Sequence, residues 1–216
     1  MKIPVILIGA GGHAKVLIDT LLTLSAVIEG IVDADPLLVG TRVLGVPVLG
    51  GDELVNAFAP ADCVLVNAIG SVGSTLLRAD LFYRFRSLGY HFLTIIHPSA
   101  TISSDAIVDE GSQVMAGAII QPGSCIGMNS IVNTKVSIDH DCIIGANVHL
   151  APGVTLSGGV RIGNGVHVGT GAIVIQGVEI GRNSVIGAGS VVLRDVPDEV
   201  TVYGVPAHQA TNTISS

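Results

Sequence analysis

Residues 124–150 read SCIGMN SIVNTK VSIDHD CIIGAN VHL, and an aliphatic residue recurs at every sixth place: Ile126, Val132, Ile138, Ile144 and Leu150. Extended in both directions, the register runs unbroken from Ile96 to Val192, and all seventeen positions are Ile, Val or Leu. A second column two residues earlier is small or β-branched, as at Ala118, Ser124, Ser130, Val136, Cys142 and Val148. A period of six is neither the helix period nor an open strand alternation. It fits a short strand, a corner and a repeat, so that three strands close one coil of a parallel β-helix. The large column points inward and stacks from coil to coil, while the small one fills the corner. Each buried aliphatic side chain contributes roughly 1.5–3 kcal/mol, largely offset by the entropy of ordering it. Gly127, Asn129, Gly145, Asn147, Gly163, Asn164 and Asn183 are expected to supply left-handed backbone at the corners. A β-sandwich would show irregular strand spacing.

Working outward from the coil, residues 1–95 read as a small α/β domain. Lys2–Ile8 reads as a hydrophobic strand with the apolar core Ile3–Ile8, followed at once by Gly9-Ala10-Gly11-Gly12-His13-Ala14 and a helical pattern through Val16, Leu17, Thr20, Leu21 and Leu24. A glycine turn at a helix start lets a ligand approach backbone N–H groups and the positive end of the helix dipole. Val27–Val32 reads as a second strand, and Asp33 stands about 20 residues past the turn, where an acid can bond a ribose hydroxyl. Only one nucleotide-binding half fits before the coil, whereas a dinucleotide fold uses two. Val43–Leu49 reads as a hairpin arm, Asp52–Ala57 as a helix and Cys63–Ala68 as a strand. Ser74–Leu88 is expected to be a helix carrying its arginines on the outer face. Residues 193–216 break the period and are expected to cap the last coil.

Composition removes several function classes. Net charge is −7, against a nucleic-acid or anionic-membrane partner. No run of 18 apolar residues suggests a membrane span. The amino terminus reads directly into the strand and turn and is not taken as a signal peptide. Three cysteines without metal spacing point to a reducing, cytoplasmic compartment and to no bound metal.

Ionisable residues are sparse inside the coil, so Asn133-Thr134-Lys135-Val136-Ser137-Ile138-Asp139-His140-Asp141 stands out. His140 lies two places past an inward residue, at a corner, flanked by two acids that raise an imidazole's pKa toward working pH and suit it to general-base chemistry. His149 and His167, one coil apart, each precede an inward residue and point outward. His167 reads as structural and Cys142 as filler in the small column.

Together, Gly9-Ala10-Gly11-Gly12-His13, Ala68-Ile69-Gly70, Ile96-His97-Pro98, Asn133-Thr134, His140-Asp141-Cys142-Ile143-Ile144-Gly145, His149-Leu150-Ala151-Pro152-Gly153 and Gly204-Val205-Pro206-Ala207 resemble the PglD/NeuD-like sugar acyltransferase family over the whole chain. The resemblance implies a Rossmann-like half domain joined to a left-handed β-helix of hexapeptide repeats. It also implies a homotrimer with its active site between subunits and acetyl-CoA as co-substrate. The implied reaction is N-acetylation of a UDP-, GDP- or dTDP-linked 4-amino-4,6-dideoxy sugar. By that resemblance His140 is the base, Asp141 its supporting acid and Asn133 a sugar-pocket residue. Gly11, Gly12, His13, Asp33 and Gly70 match the nucleotide-binding segment, and His149, Gly158, Thr170 and Ala188 the acetyl-CoA groove. Two alternatives stay open on the residues: sugar O-acetylation by the same base, and a nucleotide- or NAD-binding module.

Overall fold

The computed structural model describes residues 3–71 and 73–210. Its amino-terminal part is one five-stranded sheet flanked by helices: β1 (Val5–Ile8), α1 (Gly12–Thr23), β2 (Ile28–Val32), β3 (Arg42–Val43), β4 (Val46–Gly50), β5 (Val64–Asn67) and α2 (Leu76–Ser87). The spatial order is β3-β4-β2-β1-β5. Strand β1 pairs in parallel with β2 and β5, and β3 closes an antiparallel edge on β4. The all-apolar β1 fits its interior place between β2 and β5, buried on both faces. Asp52–Ala57 forms a 3-10 helix.

From Ile95 onward the chain coils. Two-residue strands stack in three parallel sheets, and the register pairs Ile120 with Ile138 and Ile138 with Leu156, eighteen residues per coil. One sheet has eight strands, from Ile95–Ile96 through Ile131–Val132 and His149–Leu150 to the tail. The second, six-stranded, holds Ser137–Ile138, and the third, five-stranded, holds Ile143–Ile144. The inward column is buried from Val114 to Val192. Ile96 is 41% exposed and Ile102 and Val108 are only partly covered, because no coil stacks beyond them. At the other end Thr201–Tyr203 joins the eight-stranded sheet and Val196 and Val202 are buried against the last coil.

The corners correct the expected glycine roles. Every sixth residue from Gly111 to Gly189 has φ between +55° and +73°, and these are glycines, Asn129, Asn147, Asn183, Lys135 and Asp141. Gly127, Gly145, Gly163 and Asn164 are absent from that series. The column of Gly127, Gly145 and Gly163 needs glycine for space: a Cβ on Gly127 would lie 2.6 Å from Gly145 C of the next coil, and one on Gly163 2.6 Å from Arg182 N. Close backbone approach and left-handed torsion are therefore separate demands, made at different positions of the same corner.

The amino-terminal domain packs on the eight-stranded face. Met115 joins the core beneath α1, and Phe82 and Phe92 close over Gly111. Helix α2 does not carry all its arginines outward. Arg84 and Arg86 are solvent-facing, but Arg78 is 1% exposed. Its guanidinium donates to the carbonyls of Asn67 (2.7 Å), Ile69 (3.0 Å) and Asn129 (3.1 Å), tying the loop after β5 to a coil corner. Burial alone pulls its pKa down to about 9.

Candidate active site

Two groups of polar side chains emerge on two different edges of the β-helix. The first is the corner after Ser137–Ile138. Asp141 holds left-handed backbone, φ 60°, and its Oδ2 accepts from His140 Nδ1 at 2.8 Å. Asp139 Oδ1 accepts from the His140 backbone N–H at 2.8 Å, and Ser124 donates to the Asp139 carbonyl from the buried small column. With the Nδ1 proton spent on Asp141, Nε2 keeps its lone pair. The pKa of His140 is raised, first by the Asp141 hydrogen bond and then by Asp139. The ring stands over Gly158, where a Cβ would come within 2.6 Å of Nε2. Gly123 similarly leaves room for the Asp141 carboxylate, 2.5 Å from its virtual Cβ. The imidazole is thus exposed, oriented and shaped on both sides by missing side chains.

The second group lies at the edge after the eight-stranded face. His149 Nδ1 is 2.6 Å from Ser71 Oγ and 3.1 Å from the Ser71 carbonyl, and its Nε2 is 3.3 Å from Asn133 Nδ2. His149 and His167 form an edge-on pair with ring centroids 5.1 Å apart. Burial, reinforced by His167, His13 and Arg78, pushes the His149 pKa down to about 3, so it is neutral at working pH. A cleft of about 450 Å³ opens beside it, lined by Ser71, His149, Ala151, Thr170 and Ala188 among others. Of the four residues matched to an acetyl-CoA groove, His149, Thr170 and Ala188 gather here, while Gly158 sits with His140. Asn133 and His140, neighbours in sequence, stand on different edges with the six-stranded face between them.

The third set surrounds the carboxyl ends of β1 and β2. Gly11 precedes α1 with extended backbone, and a Cβ on Gly11 or Gly12 would meet nothing within 4 Å, so the turn is open to a ligand. Asp33 accepts from Ala10 N at 2.7 Å and Asp35 N at 2.9 Å, which anchors the glycine turn. A Cβ on Gly70 would lie 3.4 Å from His13 Cβ. The His13 ring itself turns inward: Nε2 meets Gln113 Oε1 at 2.7 Å, and burial and Arg78 hold its pKa down to about 4. Its imidazole is committed to the domain junction, so the N–H groups at the helix start are what this residue offers an anion. Alongside lies a cleft of about 440 Å³ lined by Asp33, Pro36, Asp52, Glu53 and Arg84. Among the described residues no group of His, Cys, Asp and Glu could hold a metal ion, and no helix is long and apolar enough to cross a membrane.

Ser71, Gln113, Asn67 and Arg78 were not singled out from the sequence. Gln113 offered one signal, a polar residue at an outward strand position that the structure buries completely.

Comparison with known proteins agrees with this architecture. Residues 4–82 match the PglD N-terminal domain, 135–174 the hexapeptide repeat of succinyl-transferase, and 159–194 the bacterial transferase hexapeptide (six repeats). Among solved structures, the chain is similar to a histidine-to-alanine variant of GDP-perosamine N-acetyl transferase from Caulobacter crescentus, in complex with CoA and GDP-perosamine. That match has 43% identity, covers 97% of each chain and has a TM-score of 0.90. The acetyltransferase domain of PglB from Neisseria gonorrhoeae, in complex with acetyl coenzyme A, is 38% identical over 97% of this chain and 100% of that one, with a TM-score of 0.89. WeeI from Acinetobacter baumannii is 28% identical over 95% and 99%, with a TM-score of 0.79. The chain belongs to the PglD/NeuD-like sugar acyltransferase family, left-handed β-helix enzymes of the hexapeptide-repeat type that N-acetylate nucleotide-linked amino sugars with acetyl-CoA.

Proposed function

We propose that the protein transfers acetyl from acetyl-CoA to the C4 amine of a GDP-linked 4-amino-4,6-dideoxy sugar, working as a homotrimer with each active site shared between two subunits. The observation that carries the chemistry is the His140–Asp141 pair, whose Nε2 is open to solvent above Gly158. The choice of GDP rests on the 43% identity with the Caulobacter enzyme. His140 Nε2 takes a proton from the neutral sugar amine as its nitrogen attacks the thioester carbonyl. A C–N bond forms, and the oxyanion of the tetrahedral intermediate meets a backbone N–H. The C–S bond then breaks, and the thiolate leaves with the proton returned by the imidazolium. Holding two large substrates in line supplies much of the remaining acceleration.

Sharing between subunits is supported by the distribution of the groups. His140 and the cleft beside His149 lie at opposite ends of the six-stranded face, on the order of 15–20 Å apart for a six-residue side. One chain cannot bring them to one thioester, and a neighbouring copy can. The glycine turn, Gly70 and the Asp33 cleft hold the nucleotide, with Asn133 at the sugar. The unpaired cysteines Cys63, Cys125 and Cys142 fit a reducing cytoplasm.

The test is thiol release from acetyl-CoA with GDP-, UDP- and dTDP-linked 4-amino-4,6-dideoxy sugars, alongside His140→Ala. Turnover with the GDP sugar that His140→Ala abolishes is the expected result. Silence with every amino sugar, and turnover with a hydroxyl acceptor, would replace the reading by O-acetylation.

A further inference from the structure

The hydrogen bonds on the two nitrogens of His149 each fix its tautomer, and they agree. The Ser71 carbonyl oxygen, 3.1 Å from Nδ1, can only accept. Asn133 Nδ2, 3.3 Å from Nε2, can only donate. The amide cannot be turned over, because its Oδ1 accepts from the Thr134 backbone N–H at 2.8 Å. The proton of neutral His149 therefore sits on Nδ1, and Nε2 is an acceptor.

This has a consequence for Ser71. Its Oγ lies 2.6 Å from the same Nδ1–H and must accept there, so its own hydroxyl hydrogen turns elsewhere. Ser71 is 7% exposed and lines the cleft with His149, Thr170 and Ala188. The lining is otherwise mainly Ala151, Pro152, Ile186 and backbone, with no lysine, arginine or carboxylate. Such a wall suits a neutral chain of methylenes and amides and offers nothing to balance a phosphate.

We propose that the Ser71 hydroxyl donates its hydrogen to a carbonyl oxygen of the pantetheine arm of acetyl-CoA, and that His149 is a positioning residue that holds Ser71 in this orientation. The inference rests on the acetyl-CoA reading above and deepens it. Ser71 follows Gly70 directly, so the loop that meets the nucleotide also meets the acyl donor, and the two substrates share one stretch of backbone.

The test compares wild type and Ser71→Ala by calorimetry with two probes, CoA and adenosine 3′,5′-bisphosphate, which lacks the pantetheine arm. Loss of one neutral hydrogen bond weakens CoA about 3- to 10-fold and leaves the bisphosphate unchanged. Side-chain nitrogen NMR should find His149 protonated on Nδ1 in both proteins, because the Ser71 carbonyl remains. Equal CoA affinity in the two proteins, equal weakening of both probes, or a proton on Nε2 in wild type would overturn the proposal. A wild type that binds neither probe would instead sink the acetyl-CoA reading, and the NMR result would still judge the His149–Ser71 geometry.

Discussion

If each active site joins His140 of one subunit to the His149 cleft of another, two variants that are dead alone should revive each other. His140→Ala removes the base and leaves the cleft. Ala188→Trp fills the cleft from an exposed position and leaves the His140 corner, on the far side of the six-stranded face, untouched. In a trimer assembled at random from equal amounts, a working site needs its cleft from a His140→Ala chain and its base from an Ala188→Trp chain. Each choice has a chance of one half, so about one quarter of sites are intact. Co-expression produces this random population, pull-down through a tag carried by one variant confirms that it contains mixed trimers, and thiol release is measured on the whole population. Activity near one quarter of wild type, falling on either side of a 1:1 ratio, is the expected result. Mixed trimers that are as inactive as their parents would refute the shared site, because a site contained in one chain finds one half missing in every subunit.

Three further outcomes follow from distances and environments already described. Gly158→Ala sets a Cβ 2.6 Å from His140 Nε2 and pushes the ring off its post. Base catalysis is worth 10²–10⁴-fold, so kcat should fall by about 10- to 100-fold, while the melting temperature scarcely moves because the ring is exposed and free to swing; unchanged kcat would show that Nε2 is not the working atom. Asp141→Asn removes the largest cause of the raised His140 pKa, so the acidic limb of the rate profile should move to lower pH as its maximum falls. A limb that stays in place would assign it to another group. Folding stability should fall on acidification. His13 and His149 are held to about 4 and about 3 in the folded state, so below pH 6.5 the unfolded chain takes up protons that the folded chain refuses. The stability present at neutral pH is lost as pH drops through this window, by about 2 kcal/mol per histidine at pH 5. Urea unfolding at pH 7 and pH 5 measures the loss, and equal midpoints would contradict the neutral, buried assignment.

The coil was legible residue by residue because its cause is local and repeated: each inward side chain meets the same neighbour eighteen residues on. The corners were less so. Glycine meets two demands there, left-handed torsion at Gly123 or Gly159 and vacant space at Gly127 or Gly163, and the letter alone does not separate them. His140–Asp141 could be read because both partners lie at one corner. Ser71, Gln113 and Arg78 could not, because their partners come from the other domain across a junction that no period encodes. His13 shows the limit most clearly. Its place in a glycine-turn motif pointed to a ligand, and the ring went to Gln113, a hundred residues away.

The same junction explains how one sequence keeps histidines in opposite states. His140 stands in solvent beside two carboxylates, so its charged form is favoured, as the proposed role of proton acceptor in acyl transfer requires. His13 and His149 stand in the junction with Arg78, where burial and that uncompensated guanidinium penalise a second positive charge. Arg78 has no carboxylate partner, and its Nη2 finds no acceptor among the described residues. A buried cation so placed is costly for stability. Its return is structural and electrostatic at once: it fixes the Asn67–Ile69 backbone that leads into Gly70 and Ser71, and it adds to the burial that keeps His149 neutral. A neutral His149 can donate to Ser71 from Nδ1 and accept from Asn133 at Nε2, and an imidazolium would lose that acceptor. The cleft beside His149 therefore feels an arginine that does not line it, as an addition to the burial that chiefly keeps its histidine neutral.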